Sequence, residues 1–311
     1  MNEPKVLVIG NNTIDLVFVC ERLPRVGEKC QATEFGCVAG GQAANAAVTL
    51  RGLGIAVNYA GCFGDDQYGQ MSKRSLLACG IDLTRSATRL QCPHHLASIV
   101  VSSSDNERTI TMFKDPRIAA DDLEPDAAWL KEVAVVFTDG HERMLSRKLA
   151  TMARKKGIPM LADAENAEGA KVILEDLSSL IAPEEVILEL AGIADLRAAL
   201  QHIVSAGPAV AIATRGRSGA TGCTAPARFV DIPAYPCDAK DTTGAGDAFH
   251  AGYIAAVLGG ANMQDAMLYA ARVASAACEC LGPRTDFSLL NKRGLVVTDR
   301  TLASPQRGIW I

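Results

Sequence analysis

The chain has 311 residues, 49% hydrophobic and 21% charged, with a formal net charge of −4. This is the make-up of a soluble globular protein, one large domain or one domain with an insert. A mildly acidic balance leaves no footprint for nucleic acid or an anionic membrane, and no apolar run approaches the roughly 18 residues of a membrane span.

The N-terminus, MNEPKVLVIG, runs directly into a strand-like stretch, so no signal peptide is evident and a cytoplasmic protein is expected. Ten cysteines lie scattered between Cys20 and Cys280 without a C-x-x-C pair. They are expected to be small buried hydrophobes in a reducing compartment, not a disulfide frame or zinc site. Val6–Ile9 is a short apolar run ending at Gly10, the pattern of a buried parallel strand. Asp15 follows, near where open α/β sheets bind ligands, although a turn residue is the simpler reading on spacing alone.

Leu16–Cys20 and Lys29–Val38 are strand-like, with Pro24 and Gly27 as the turn between them. His95–Ser102 and Arg108–Phe113 form a second such pair, joined through Ser103–Glu107. No helical period interrupts either pair. The four segments, from about 12–38 and 92–114, are predicted to make a small sheet laid over the main sheet edge as a lid. Arg108 begins a lid strand and is placed to reach an anionic group; an ordinary edge-strand charge is the alternative. His94 and His95 are neighbours whose side chains would point to opposite faces of a strand, so they read as solvent-facing loop residues and not a metal pair.

Gly40-Gly41-Gln42-Ala43-Ala44-Asn45-Ala46-Ala47 opens a helix to about Leu53, stopped by Gly54. Gly40 and Gly41 let the backbone meet a ligand, and Asn45 offers the donor and acceptor that sugar hydroxyls need. Gly61-Cys62-Phe63-Gly64-Asp65-Asp66-Gln67-Tyr68-Gly69 is a second glycine-punctuated stretch. From residue 120 strands and helices alternate: Val133–Phe137, leading into Asp139-Gly140-His141; a helix over Met144–Lys156; Ile158–Leu161, ending at Asp163; Leu177–Ile181; and Ala209–Thr214. Alternation of this kind implies a parallel sheet with helices on both faces. Asp15, Asp139, His141, Asp163 and Thr214 then converge on the rim at the strand C-terminal ends. Thr214-Arg215-Gly216-Arg217-Ser218-Gly219 either holds nucleotide phosphates or simply turns into a strand over Ala220–Cys223.

Asp241-Thr242-Thr243-Gly244-Ala245-Gly246-Asp247-Ala248-Phe249-His250-Ala251-Gly252-Tyr253 runs from a glycine-rich turn into a helix. Gly244 and Gly246 permit φ > 0, and the free amides of the first turn make an anion cup. Asp247 stands at the rim of that cup. A carboxylate beside an anion site is repulsive unless it takes a proton from an attacking hydroxyl; a plain helix N-terminus is the alternative. A P-loop is excluded because its lysine and spacing are absent, and a dinucleotide fingerprint because Phe249 occupies a required glycine position. Met263–Leu281 is a second helix rich in small residues, and Thr298–Ile311 carries no signal.

The DTTGAGDAFHAGY string closely resembles the C-terminal signature of the ribokinase-like (PfkB) carbohydrate kinases. Residues 40–47 with 61–69 resemble that family's N-terminal signature. The resemblance covers roughly residues 5–290. It implies an α/β ribokinase-like fold: a mostly parallel central sheet with helices on both faces plus a small β-sheet lid, all in one domain. It implies ATP with Mg2+, Asp247 as catalytic base, and the amides of Gly244, Ala245, Gly246 and Asp247 as the anion hole. Asp15, Gly40, Gly41 and Asn45 would bind the sugar, with Arg108 and His141 as further substrate contacts. Thr214, Gly216, Gly219 and, in the Met263–Leu281 helix, Ala274 would bind the nucleotide. Asp241 and Thr243 would hold a monovalent cation such as K+.

Two departures narrow the reading. The N-x-x-E motif of many relatives is replaced by Ala182-Pro183-Glu184-Glu185-Val186, so Glu184 or Glu185 would act through water. Ketohexokinase-like relatives also lack the motif, so activity is still expected. Gln42 stands where some ribokinases carry a lysine, which tells against ribokinase proper. Arg108-Thr109-Ile110 and Asp139-Gly140-His141 look most like the ketohexokinase and sulfofructose-kinase branch, whose members often place an arginine where His141 stands. A neutral histidine binds hydroxyls better than a sulfonate, which favours a neutral ketose or related sugar. A nucleoside, held by a slab such as Phe113 or Phe35, and an acidic sugar, met by Arg108 or Arg143, are the alternatives. A non-catalytic sugar- or nucleotide-binding protein is a further one. The lid is expected to make a homodimer, with Phe18, Phe35, Ile99 and Val101 available for the interface.

Overall fold

The computed structural model describes residues 5–104, 107–165 and 167–296. The first apolar run is β1 (Lys5–Ile9). The chain then leaves for a hairpin, β2 (Thr13–Cys20) and β3 (Glu34–Gly40), and returns through α1 (Gln42–Gly52) to β4 (Ala56–Ala60). A short strand β5 (Cys62–Gly64), helix α2 (Gln67–Ala78) and strand β6 (Ala87–Arg89) lead to a second excursion, β7 (Leu96–Ser102) and β8 (Arg108–Phe113). From β9 (Val133–Thr138) the alternation is regular: α3 (Arg143–Lys156), β10 (Met160–Asp163), α4 (Ala167–Lys171), β11 (Ser179–Pro183), α5 (Glu184–Ala191), α6 (Leu196–Ser205) and β12 (Val210–Thr214). A hairpin of β13 (Ala220–Thr224) and β14 (Arg228–Ile232) precedes α7 (Ala245–Leu258), α8 (Met263–Cys278) and α9 (Phe287–Lys292). The tail over 298–311 lies outside the described residues.

The main sheet has eight strands in the order β14-β13-β12-β11-β10-β9-β1-β4. The run from β4 to β12 is parallel, and β13 and β14 add antiparallel at one edge. Its strands are buried on both faces, which is why they read as unbroken apolar runs. Val6, Val8, Val135, Phe137, Leu161, Ile181 and Ile212 face a core shared with α1, α7 and α8. Their neighbours Leu7, Ile9, Val136, Met160, Ala162, Leu180 and Ala211 face the core shared with α3, α5 and α6. The sheet thereby aims every parallel strand's C-terminal end at one rim.

The lid is a separate four-stranded sheet, β3-β2-β7-β8. The two predicted hairpins are present, but they join through a parallel β2–β7 pair that the sequence pattern does not announce. Strand β3 starts at Glu34, five residues after the expected Lys29, because residues 21–32 form turns and loop instead of a ladder; the Thr33 N–H donates to the Val19 carbonyl just before the strand begins. Asp15 is inside β2, at the root of the lid, and not in the turn after β1.

His94 and His95 overturn their expected placement: both are buried. His94 Nδ1 accepts from the Gly64 N–H at 3.3 Å, and its ring stacks between Phe63 and His95. His95 bonds Asn11 Oδ1 and the Asp115 carbonyl, each at 3.2 Å. Burial pushes the His94 pKa down to about 4 and lowers that of His95. The pair packs at the base of the lid, where the His95 carbonyl accepts from the Ile14 N–H of β2. The cysteines are all free; Cys20, Cys62, Cys92 and Cys223 are buried as expected, whereas Cys30 and Cys237 are exposed.

Candidate active site

Two helix N-termini meet the strand ends at one rim. Helix α1 begins at Gly41, which has φ +95° and lies so close to Asn12 that a side chain would collide with its backbone. No side chain of its own caps α1. Asp139, at the end of β9, does so from across the sheet: its Oδ2 accepts from the amides of Ala43 (3.2 Å) and Asn11 (2.7 Å), and its Oδ1 from that of His141 (3.1 Å). Asp139 is thus a clamp that sets the floor of the site. Gly40 lies against the Asp15 carboxylate, in a space a Cβ would fill. Asp15 accepts from Thr13 Oγ1 at 2.9 Å. Burial raises its pKa, opposed by that hydrogen bond and by the positive charge of Arg284.

Helix α7 begins at Gly244, which is left-handed at φ +77° and sits against the Pro283 carbonyl. There is no side-chain cap. The Ala245 N–H is already taken by the Thr242 carbonyl at 3.2 Å, which leaves Gly246 and Asp247 as the first-turn amides able to meet an anion. Gly246 is helical, not left-handed as expected; its value is that nothing lies within 4 Å of where a Cβ would be. The side of the first turn at Gly246 is therefore open for a ligand to approach.

Asp247 is buried, and Asn45 Nδ2 of α1 donates to its Oδ2 at 2.8 Å. Two residues that lie 202 positions apart thus join the two helix N-termini. The Asp247 pKa is pushed up to about 7, by burial first and then by the Asp163 carboxylate, while the Asn45 donor works against the shift. Asp163, at the end of β10, is also buried and raised by burial. Between them lies His250 of α7, its Nδ1 2.7 Å from the Gly246 carbonyl and its Nε2 3.2 Å from the Ile181 carbonyl and 3.6 Å from Asp163 Oδ1.

His141 faces inward: its Nε2 lies 3.0 Å from Gln42 Oε1 and 3.0 Å from Glu165 Oε2. Burial disfavours its charge, but Glu165 and Asp139 outweigh that, and its pKa is raised; Glu165 is correspondingly lowered. The expectation of a lone neutral histidine gives way to a charge-balanced His141–Glu165 pair. On the lid, Arg108 Nη1 donates to Thr243 Oγ1 at 3.3 Å, so the lid strand reaches the loop before the anion cup. Asp241 folds that loop back, accepting from the amides of Thr243 and Gly282, each at 2.9 Å. Arg143 pairs with Glu168 on the surface at 3.2 Å.

The nucleotide candidates lie two strands from Asp163, at the end of β12. Thr214 Oγ1 donates to the Ala182 carbonyl at 3.4 Å, and Gly216 is open on its Cβ side. Gly219, at φ +85°, abuts the Ile232 carbonyl of β14, so packing alone already requires a glycine there. Arg215 Nε donates to Glu184 Oε2 at 2.9 Å, so the carboxylate offered for the absent N-x-x-E motif is ion-paired. Ala274 is half-buried in α8 against the core. Sequence reasoning missed Arg284, which contacts Asn45 and Ser75, and His250. Arg284 lies in a stretch whose spacing links it to nothing else in the chain; His250 lies within the 241–253 motif, where it reads as one more residue of the helix after Asp247.

An uncapped helix N-terminus, a buried carboxylate beside it and a floor of polar groups able to bond hydroxyls are the parts that phosphoryl transfer to an alcohol uses. The sequence profile of the pfkB family carbohydrate kinases matches residues 3–289. The chain belongs to that family. It is an ATP-dependent carbohydrate kinase of the ribokinase-like fold.

The ribokinase of Bacillus subtilis (strain 168) is 29% identical over 277 residues, covering 87% of this chain and 91% of the relative. The deoxyribokinase of Salmonella typhi is 28% identical over 265 residues, covering 78% and 82%. The structure of Arabidopsis thaliana ribokinase complexed with ribose and ATP superposes with a TM-score of 0.80 at 22% identity, over 96% of this chain and 100% of that one. The expected pfkB membership and fold are borne out. The narrower place beside ketohexokinase is not what these relatives carry; they are named for ribose and deoxyribose. Among the described residues no helix is long and apolar enough to cross a membrane.

Proposed function

We propose that this pfkB-family kinase transfers the γ-phosphoryl group of ATP to a hydroxyl of a small neutral sugar, with Asp247 as the general base. The observation that carries this is the joint placement of Asp247: third residue of an uncapped helix, buried, and held by the Asn45 N–H at 2.8 Å. A carboxyl with a pKa near 7 is well matched to taking a hydroxyl proton at neutral pH. The amides of Gly246 and Asp247 would meet the transferring group, with Gly244 and Ala245 shaping the loop. Asp15, Asn45 and the backbone at Gly40 and Gly41 would hold sugar hydroxyls.

The charge-balanced His141–Glu165 pair beside Gln42 supports a neutral substrate, because a net anionic group there would meet Glu165 as well as His141. Arg108 would meet phosphate from the lid side. Residues 108–110 and 139–141 favour a ketose; the names of the relatives favour a pentose. Thr214 and Gly216 would face the nucleotide, with Ala274 on the adenine side.

Among the described residues no three His, Cys, Asp or Glu side chains are grouped to hold a metal ion. A Mg2+ would be carried in on the nucleotide phosphates, with the exposed Glu185 available for contact through water. When bound, the ion neutralises charge on the phosphates. Asp241 and Thr243 remain the candidates for K+, where a cation would share Thr243 Oγ1 with Arg108. The open lid face would pair with a second copy.

The test is Asp247→Asn assayed on a panel of pentoses, ketoses, acidic sugars and nucleosides. The variant should lose about 10²–10⁴ in kcat with its fold intact. Turnover close to wild type would remove Asp247 from the mechanism. A nucleoside or acidic sugar used with far higher kcat/KM than any neutral sugar would overturn the substrate class.

A further inference from the structure

Asn45 makes its bond to Asp247 with the amide one way round, and something must decide that orientation. An asparagine side chain is almost symmetric in shape, and turned over it would present Oδ1 to Asp247 in place of Nδ2–H. The other end of the same amide answers the question. Asn45 Oδ1 accepts from Arg284 Nε at 3.4 Å. Arg284 is itself anchored, since its Nη1 donates to Ser75 Oγ of α2 at 3.0 Å. Guanidinium carries donors only, so it can face Oδ1 and not the NH2 group. Reversing the amide would oppose N–H to N–H at Arg284 and oxygen to oxygen at Asp247.

The geometry points to Arg284 as a positioning residue: it locks the Asn45 amide so that Nδ2–H is always presented to the Asp247 carboxylate. Among the described residues the Arg284 side chain is hydrogen-bonded to Asn45 and Ser75 and not to Asp247. It arrives from the Gly282–Thr285 turn between α8 and α9, 239 positions after Asn45. The inference rests on the proposed role of Asp247 as base. With the lock in place, Asn45 favours the ionised carboxylate that can accept a proton. Without it, the amide is free to present Oδ1, which favours the protonated acid.

The groups that bear on Asp247 are Asn45 from α1, Asp163 from β10, Asp139 beyond β9 and His250 from its own helix. Those that bear on Arg284 are Asp15 from β2, Tyr59 from β4 and Cys79 beyond α2. Burial disfavours the guanidinium charge, so Arg284 is kept at a cost that a merely space-filling residue would not carry. Its Nη2 is buried and has no hydrogen-bond partner among the described residues. Packing alone would be served as well by methionine.

The experiment is the pH profile of kcat/KM for the wild type, Arg284→Met, Arg284→Gln, Ser75→Ala and Asp247→Asn, with ATP and the best sugar from the panel. Arg284→Met should move the acid limb upward by about one pH unit, with activity recovering at high pH. Arg284→Gln is uncharged but keeps an N–H donor for Asn45 Oδ1, and its limb should stay near that of the wild type. Ser75→Ala loosens the anchor with little change of volume and should move the limb in the same direction by less. It serves as the test should Arg284→Met fail to fold.

An unmoved limb in Arg284→Met, or in Ser75→Ala where Arg284→Met does not fold, overturns the proposal. Equal shifts in the Met and Gln variants do so as well, since they would assign the effect to charge. Asp247→Asn separates the two readings. If it retains turnover, the proposed base is wrong; if it is inactive and the Arg284 limb does not move, only the lock is wrong.

Discussion

Arg108 of lid strand β8 donates to Thr243 Oγ1 at 3.3 Å, and Thr243 immediately precedes the left-handed Gly244 of the anion cup. The contact ties the lid to the loop that forms the cup, 135 positions later in the chain. Arg108→Met should therefore weaken lid closure while leaving the exposed strand folded. One such hydrogen bond is worth about 1 kcal/mol, or roughly fivefold in kcat/KM. Steady-state assays varying ATP and sugar in turn would measure it. An unchanged kcat/KM for both would mean the contact plays no part in turnover.

The lid also predicts an oligomer. Ile110 and Met112 of β8 stand opposite Ile99 and Ala97 of β7, so these four share one face of the sheet. That face is buried at β7 and open at β8, where Ile110 and Met112 are nearly half exposed. Ile99, expected at the interface, is instead buried inside the chain, and Ile110 and Met112 of β8 supply the exposed apolar surface of this face, while Phe35 lies on the opposite face in register with Phe18. A four-stranded sheet with an open apolar edge strand is a poor stopping point. Light scattering at micromolar concentration should show a dimer, and Met112→Glu should convert it to a monomer. A wild-type monomer would refute the arrangement.

Much of this could be read beforehand, for identifiable reasons. Strands buried on both faces read as apolar runs, and Gly244 and Asp247 lie three residues apart, so local spacing finds them. The lid strands were visible because no helical period intervened. What stayed hidden depends on distant contacts. The parallel β2–β7 pair leaves no mark in either hairpin. His94 follows Pro93 in a polar stretch, and it is contacts with the distant Phe63 and Gly64 that cover it. Gly219 resembles a phosphate-loop glycine, yet the β14 backbone is what requires it. Arg284 meets Asn45 only because α9 packs its preceding turn against α1.

Glu142 offers a stability test away from the chemistry. Its side chain is buried and accepts from the Ala120 N–H at 2.7 Å. Burial, aided by nearby acidic groups, pushes its pKa up from 4.5 to about 8. Between those values the folded state binds a proton that the unfolded state lacks. The contribution to stability is thus full below pH 4.5 and is lost as pH rises through about 8. Glu142→Gln is neutral throughout and can still accept from Ala120. It should match the wild type near pH 4 and exceed it by an amount that grows by about 1.4 kcal/mol per pH unit between pH 4.5 and 8, judged by urea unfolding. The lowered pKa values of His94 and His95 add a pH dependence common to both proteins, which cancels in their difference. A difference between variant and wild type that does not grow with pH would show that Glu142 is ionised in the fold.

Asp163 makes the sharpest test of how the base is tuned. Burial raises Asp247 to about 7, and the Asp163 carboxylate raises it further than any other charge. Asp163→Asn removes that charge and keeps a polar group beside His250, whose Nε2 lies 3.6 Å from Asp163 Oδ1. The Asp247 pKa should then fall, and the acid limb of kcat/KM should move to lower pH by about one unit. For a base titrating near 7, such a fall raises the ionised fraction at pH 6 from about a tenth to about a half. Activity at pH 6, relative to the plateau, should therefore rise about fivefold. The plateau itself should drop, because a less basic carboxylate is a weaker proton acceptor. Arg284→Met is expected to move the same limb the opposite way, by removing the lock on the Asn45 donor. Opposite shifts from residues on opposite sides of Asp247 would identify it as the group that titrates. If Asp163→Asn leaves the limb in place or moves it upward, another group sets the pH dependence, and Asp163 serves the fold of the rim without tuning the base.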